Sequence, residues 1–154
     1  MIVIAELIAL VTALRNANLP FAVCGGLAMA IHGHPRATQD IDIIIREEHL
    51  NEVLEVAKTA GFWIPSGRMP FKAKTPMAME IYRVSKAVGD KLIPLDLMLV
   101  SPALEEIWEG RINGQIGDVE CTVVSTAGLI RMKEIAARKQ DLADIEKLRS
   151  GDAT

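Results

Sequence analysis

The segment from Phe21 to Ile45 constrains the fold more than any other part of the chain. Its sequence, FAVCGGLAMAIHGHPRATQDIDIII, contains an apolar run, a Gly-Gly pair, a short helical pattern, a polar turn and two aspartates that enter an isoleucine run. We interpret it as strand, glycine turn, helix, loop and strand, since short apolar runs bounded by turn residues are typical of buried strands. The segment therefore predicts a compact unit that presents a glycine turn and an acidic pair.

Two positions in this unit have residues that suit a nucleotide site. Gly25 and Gly26 let the backbone come close to a phosphate at the start of a helix, where unpaired N–H groups and the helix dipole favour an anion. Asp40 and Asp42 are two residues apart on the second strand, so their carboxylates leave the same face of the sheet. An isolated pair of this kind is most often a solvated strand start, so a chemical role needs further support.

A third aspartate supplies that support. Asp96 lies in the run LIPLDLMLV, which is too apolar to carry a carboxylate that has neither a cation nor a partner. If the strands of Asp42 and Asp96 lie side by side, three carboxylates converge and repel one another, and a hard divalent cation offsets that repulsion. Two Mg²⁺ ions about 3.5–4 Å apart can activate an attacking oxygen and stabilise the leaving one during phosphoryl transfer. Asp96 would then hold the ion nearest the acceptor hydroxyl and serve as its general base.

The rest of the chain predicts further helices and strands within a single domain, residues 1–154. The predicted helices cover residues 4–16, 27–31, part of 47–62, a segment that starts at Ser101-Pro102, 126–139 and 141–149. The predicted strands cover residues 21–24, 41–45, 79–87 and 91–100, with a smaller hairpin within 111–125. Residues 63–76 are rich in Pro, Gly, Lys and Arg and are predicted to form an exposed loop.

Composition argues against several classes of function. The net charge is −3, the pI is about 5.6 and aromatic residues make up 4%, so nucleic-acid binding is disfavoured. Cys24 and Cys121 lie in separate apolar stretches and are expected to be buried thiols of a cytoplasmic protein. The apolar N-terminal segment lacks a positive n-region, contains Glu6 and is too short to span a bilayer. We therefore expect a packed helix there and no membrane association.

The spacing of these motifs resembles the DNA polymerase β-like nucleotidyltransferase superfamily. The segments Cys24-Gly25-Gly26, Asp40-Ile41-Asp42-Ile43 and Leu95-Asp96-Leu97 stand at the positions of that superfamily's motifs. The sequences HGHPRATQDIDI and MKEIAARKQDLADIEKL are similar to small bacterial nucleotidyltransferases related to abortive-infection and type IV toxin–antitoxin proteins. Many active members of that group have Gly-Ser where this chain has Gly-Gly.

The resemblance implies an α+β nucleotidyltransferase fold, with a mixed, mostly antiparallel sheet of about 4–6 strands flanked by helices. It also implies Mg²⁺ at Asp40, Asp42 and Asp96, with two ions when an NTP is bound, and transfer of a nucleoside monophosphate to an acceptor hydroxyl. By the same resemblance Lys133 and Arg138 lie near the phosphates, although both would otherwise be part of a solvated helix face.

Several polar residues have alternative interpretations. Arg36 and Thr38 belong to the nucleotide site if they position a phosphate or the Asp40 loop, but loop residues of these types often only cap and turn. His32 and His34 are better explained by the end of a helix, where histidine is favourable, than by a metal pair. A basic patch around the predicted loop consists of Arg68, Lys72, Lys74 and Arg83. We expect this patch to be solvated, or to meet a polyanionic or acidic partner.

Two hypotheses of different classes follow. The first is an Mg²⁺-dependent nucleotidyltransferase that acts on an NTP and an unidentified acceptor. The second is a partner-binding module with the same fold and weak or lost activity, such as a toxin–antitoxin component. Phosphatases and glycosyltransferases with Asp-x-Asp motifs fit less well, because their acids end an apolar strand and these begin one. Since the chain has little room for an acceptor domain, a second subunit or a protein partner is expected to complete the acceptor site.

Overall fold

The computed structural model describes residues 2–35 and 37–151, and this part of the chain forms helices packed around one sheet. The helices are α1 (Ile2–Asn16), α2 (Gly25–Ile31), α3 (Leu50–Thr59), α4 (Glu105–Glu109), α5 (Thr126–Ala136) and α6 (Lys139–Gly151). The strands are β1 (Ala22–Cys24), β2 (Ile41–Ile45), β3 (Ile64–Phe71), β4 (Met79–Val88), β5 (Lys91–Leu99), β6 (Ile112–Ile116) and β7 (Val119–Val123). Short 3₁₀ turns precede α3 and α4. In the described residues no helix combines the length and the apolarity needed to cross a membrane.

The strands form one mixed sheet in the order β3-β4-β5-β2-β1-β7-β6. The pairs β2–β5 and β1–β7 are parallel, whereas β1–β2, β3–β4, β4–β5 and β6–β7 are antiparallel. The α+β class and the mostly antiparallel pairing are therefore confirmed. The expected number of about 4–6 strands was too low, because the sheet has 7.

The additional strand is β3, which lies within the segment predicted to be an exposed loop. That prediction was wrong because Pro65, Gly67 and Pro70 are poor residues for a central strand, but β3 lies at the edge of the sheet. It pairs only with β4, with a register shift between Pro65 and Gly67. An edge strand needs only one set of ladder hydrogen bonds, so prolines are tolerated there.

The core surrounds the three central strands. Consecutive residues of β1 and β2 are fully buried, which requires that both faces of the sheet be covered. Helix α1, within the segment predicted to be helical, packs on this core through one apolar stripe of fully buried residues: Leu7, Leu10, Val11 and Leu14. Cys24 and Cys121 are buried free thiols, as expected. The strands that carry Asp42 and Asp96 therefore run through the buried core of the sheet.

Two helices begin near their predicted positions but with different local geometry. The helix expected within residues 47–62 begins as a 3₁₀ turn at Glu47–His49 and continues as α3 from Leu50. Ser101 precedes the next helical segment as predicted, but its side chain makes no capping hydrogen bond, and its buried Oγ has no partner among the described residues. By contrast, Ser125 caps α5 by accepting a 3.0 Å hydrogen bond from the backbone N–H of Gly128.

Candidate active site

The second and third acidic positions face each other on neighbouring strands. Strands β2 and β5 are parallel, and their register pairs Asp42 with Asp96. Asp40 lies immediately before β2, so it reaches the same region from the strand start. All three aspartates line one cleft of about 470 Å³, together with Gly25 and Gly26. The predicted adjacency of the two acidic strands is confirmed.

The glycine pair begins α2 rather than forming a separate turn before it. Gly25 has φ +66°, a conformation that disfavours residues with a side chain. A Cβ atom at this position would overlap Oδ2 of Asp42, since Cys24 and Asp42 are directly paired across β1 and β2. Glycine is therefore required here for two reasons, its backbone conformation and the close approach of the Asp42 carboxylate.

Asp42 has an unusual electrostatic environment. Burial raises the pKa of its carboxyl from 3.8 to about 7, with further raising contributions from Asp96 and Asp40. Arg138 and Arg83 act in the opposite direction but do not offset these effects. The site thus concentrates negative charge to the point where one carboxyl is half protonated near neutral pH. Such a cluster favours any ligand that brings positive charge.

Arg83 supplies a cation that the sequence interpretation did not assign to the site. Its Nε donates to Oδ1 of Asp96 at 2.7 Å and its Nη2 donates to Oδ2 at 3.0 Å. The expectation of a merely solvated Arg83 was wrong. A signal was available: a two-residue turn at Gly89-Asp90 sets the register of β4 and β5, and this register places Arg83 directly opposite Asp96.

The donor chemistry of the cleft suits a hard divalent cation, because carboxylate oxygens are the ligands that Mg²⁺ prefers. In the described residues, however, no three side chains of the types His, Cys, Asp or Glu stand close enough to share one ion. The two oxygens of Asp96 are both engaged by Arg83. The acidic residues fit the cation in chemistry, and Asp96 must share or exchange its guanidinium partner to bind one.

The two basic residues predicted near the phosphates line the same cleft but are ion-paired. Lys133 is 5% exposed and its Nζ lies 2.8 Å from Oδ2 of Asp144 and 3.8 Å from Oδ1 of Asp141. The alternative of a solvated helix face is therefore wrong for Lys133. Arg138 has a side chain that is 75% exposed, and its Nε donates to Oδ2 of Asp141 at 2.8 Å. Both cations are held where α5 meets α6, beside the aspartates.

The polar residues predicted between α2 and β2 have different places in the structure. Thr38 lines the cleft, and its hydroxyl lies 3.4 Å from both the backbone oxygen and the backbone nitrogen of Asp40, so it steadies the approach to β2. Arg36 lies outside the described residues. His32 ends α2, and its Nε2 lies 2.8 Å from the carbonyl oxygen of Val124, which gives this histidine a structural contact.

The cleft also has an apolar wall that sequence reasoning did not find. Its apolar residues come from β3, β4, β5 and α5 and are Phe71, Met79, Ile81, Met98, Leu129, Met132, Ile135 and Ala136. An acidic floor beside an apolar wall suits a ligand with a charged part and a flat, weakly polar part. A second, more open depression of about 570 Å³ is lined by none of the predicted site residues. We therefore place the candidate site in the smaller cleft, where the titratable groups converge.

Solved structures define the class of this fold. The antibiotic-resistance factor ANT(2'')-Ia matches in a solution structure with TM-score 0.63 and 14% identity, covering 96% of this chain and 82% of that one. Its crystal structure with adenylyl-2''-tobramycin matches with TM-score 0.63 and 14% identity, covering 99% and 96%. A protein from Thermotoga maritima assigned as a nucleotidyltransferase matches with TM-score 0.58 and 14% identity, covering 92% and 88%. The fold is that of the nucleotidyltransferases.

The sequence itself identifies the family. Residues 6–83, just over half of the chain, match the family model of aminoglycoside-2''-adenylyltransferase, and the chain belongs to this family. The matched segment includes the glycine pair, Asp40 and Asp42, whereas Asp96 and the α5 residues lie beyond it. A search of curated protein sequences finds no significant match.

Proposed function

We propose that this protein is an Mg²⁺-dependent nucleotidyltransferase that moves a nucleoside monophosphate from an NTP to an acceptor hydroxyl. The observation that carries the proposal is the register of β2 and β5, which sets Asp42 beside Asp96 in the cleft that also contains Asp40. Three carboxylates in one cleft are costly unless a cation is part of the working state. The position of Gly25 against Asp42 supports the same conclusion.

The residues of the cleft have distinct proposed roles. Asp40, Asp42 and Asp96 would hold the metal, and bound Mg²⁺ would supply charge stabilisation at the attacking and leaving oxygens. Asp96 is the candidate general base for the proton of the acceptor hydroxyl. The N-terminus of α2 at Gly25 and Gly26 would receive a phosphate through its backbone N–H groups.

The surrounding residues would bind the rest of the nucleotide. Lys133 and Arg138 line the cleft and would contribute positive charge toward a triphosphate. The apolar wall that α5 shares with β3, β4 and β5 would pack against the base. Thr38 would keep the Asp40 loop in place, and Arg36, two residues earlier in the sequence, remains a candidate phosphate contact.

The family suggests the donor and the first acceptor to test. ANT(2'')-Ia has been solved in complex with adenylyl-2''-tobramycin, and the matching family model is that of aminoglycoside-2''-adenylyltransferase. We propose ATP as the donor for this chain and an aminoglycoside hydroxyl as the first acceptor class. A second subunit would complete the acceptor side of the cleft, and sedimentation over a wide concentration range tests this, because a monomer throughout contradicts it.

The proposed reaction is tested by transfer of label from α-³²P-ATP to tobramycin with and without Mg²⁺. We expect Asp42→Asn and Asp96→Asn to lower the rate by about 100-fold or more, since each removes a charged group from the reacting centre. Asp90→Asn, at the exposed turn between β4 and β5, is the matched control and should keep the wild-type rate. If the wild type binds ATP equally poorly with and without Mg²⁺, and no better than Asp42→Ala, the enzyme proposal is wrong.

One observation favours the second candidate function, a partner-binding module with weak or lost activity. Asp96, Lys133 and Arg138 are all already ion-paired within the chain, so the site can be electrostatically satisfied in the absence of a nucleotide. A module of this kind predicts no label transfer to any acceptor, together with unchanged partner binding in the Asp42→Asn variant. The transferase predicts the opposite result for the label.

A further inference from the structure

Arg83 and Asp96 form a two-point ion pair inside the cleft. They are opposite each other in the antiparallel ladder of β4 and β5, and the guanidinium binds both carboxylate oxygens. The side chain of Asp96 is 11% exposed, whereas that of Arg83 is 37% exposed. The carboxylate is therefore the buried partner of the pair, and both of its oxygens are occupied by the more exposed guanidinium.

The contact has a clear physical cause. A buried carboxylate needs a partner of opposite charge, and a two-point contact with arginine satisfies its charge and its hydrogen-bonding capacity together. Asp42 and Asp40 add further negative charge to the same cleft. Without Arg83 the three carboxylates would repel one another with no counter-charge on Asp96.

The same contact opposes a divalent ion. An ion at Asp96 must share or replace the guanidinium, and it also meets the positive charge of Arg83 at close range. Arg83 thus stabilises the metal-free site and weakens its affinity for a free cation.

We propose that Arg83 is a tethered counter-ion for Asp96, which makes the free protein bind a divalent cation weakly and makes tight cation binding depend on the nucleotide. The inference rests on the proposed function, because it concerns the cation of that reaction. A nucleotide brings the negative charge that Arg83 needs when it leaves Asp96, so the guanidinium exchanges a carboxylate for a phosphate. Arg83 is in this sense a positioning residue that controls when Asp96 becomes available.

The test measures binding of Mn²⁺ by electron paramagnetic resonance, at mildly alkaline pH, for wild type and two variants. Arg83→Gln removes the charge, and we expect it to tighten Mn²⁺ binding without nucleotide on the order of tenfold. Arg83→Lys keeps the charge and should remain within about threefold of wild type. Arg68→Gln is the matched control, because Arg68 pairs with the surface residues Glu47 and Glu80. This replacement should leave the affinity for Mn²⁺ unchanged.

The nucleotide dependence is measured with α,β-methylene-ATP. We expect this analogue to tighten Mn²⁺ binding to the wild type by about tenfold or more, and to do so less in Arg83→Gln, since the counter-charge is already missing. If Arg83→Gln is unfolded without metal, recovery of its folded circular dichroism spectrum on adding Mn²⁺ supports the proposal, and no recovery overturns it.

The possible results distinguish failure of the proposed role of Arg83 from failure of the proposed transferase function. Equal or weaker Mn²⁺ binding by Arg83→Gln, with wild-type binding that Asp42→Asn abolishes, overturns the role of Arg83 and leaves the proposed function standing. Absence of any Mn²⁺ binding to the wild type, with and without the analogue, overturns both. Tightening by Arg83→Gln and by Arg83→Lys alike would show that the shape of arginine, and not its charge, is responsible, which contradicts the proposal.

Discussion

Replacing Asp42 by asparagine should stabilise the protein while removing its proposed activity. The pKa of Asp42 is raised from 3.8 to about 7, mainly because the carboxyl is buried and because Asp96 and Asp40 lie nearby. The folded protein therefore holds a proton on Asp42 in a pH range where the unfolded chain has already released it. Asparagine has nearly the same shape as the protonated acid and carries no charge, so it avoids the cost of ionisation.

The magnitude follows from the change in pKa. Below about pH 4 both states bind the proton and the variant has no advantage; as pH rises toward 7 the wild type loses stability and the variant does not. A difference of about three pH units corresponds to about 4 kcal/mol, which is an upper limit because water in the open cleft screens the charges. We therefore expect a gain of about 2–4 kcal/mol above pH 7, or about 4–16 °C in Tm for a chain of this size.

The assay is urea or thermal denaturation of wild type and Asp42→Asn, measured without divalent cations at about pH 4 and about pH 8.5. Asp90→Asn provides the control, since Asp90 is exposed at a turn and its replacement should shift neither curve. In a separate assay with Mg²⁺, label transfer from ATP should be present in wild type and lost in Asp42→Asn. A residue that destabilises the fold and is needed for the reaction is the expected pattern for a functional site.

Two results would refute this reasoning. If the difference in unfolding free energy between the variant and wild type is the same at both pH values, the raised pKa is not its cause. If Asp42→Asn is less stable than wild type at alkaline pH, the carboxylate is a net stabilising group, and the cluster of like charges does not have the energetic cost assigned to it.

Two further predictions concern the groups around this cluster. Gly25→Ala should abolish label transfer and cost about 1–3 kcal/mol, because the new Cβ would overlap Asp42 and φ is +66°. Gly89→Ala, at φ +62° with open space around it, has the same backbone cost and should keep the activity. Lys133→Met should destabilise the protein by about 3–5 kcal/mol in urea denaturation, because it leaves Asp144 with a buried charge that has lost its 2.8 Å partner.

The controls make these predictions specific. Equal activity of the two glycine variants would show that the approach of Gly25 to Asp42 is not needed for the reaction. Lys139→Met, at the exposed start of α6, should change stability by less than about 0.5 kcal/mol. A similarly small effect of Lys133→Met would contradict the assignment of a buried ion pair.

Much of the fold could be predicted because its elements have strong local patterns. The isoleucine run of β2, the apolar run of β5 and the turn at Gly89-Asp90 between β4 and β5 are all where the sequence indicates them. The edge strand β3 was missed because its prolines and glycine are typical of loops, and only its position beside β4 makes it a strand. Local sequence propensity carries no information about which neighbouring strand a segment will pair with.

Some residues of the candidate site could likewise be predicted from the sequence, and others could not. Asp40, Asp42 and the glycine pair are specified by spacing alone, since a strand with period two and a glycine at a helix start have the same geometry in any surroundings. The register of the β4–β5 hairpin, set by a two-residue turn, also places Arg83 opposite Asp96.

The sequence by itself determined which residues are acidic, where every strand except β3 lies and, through the turn between β4 and β5, that Arg83 stands opposite Asp96. Only the tertiary structure decided which distant groups meet: it set β2 beside β5, so that Asp42 lies next to Asp96, and it paired Lys133 with Asp144. The reason is that periodicity acts over a few residues, whereas an ion pair depends on the order of strands in the sheet and on the packing of α5 against α6. The electrostatic state of the site is therefore a property of the assembled fold.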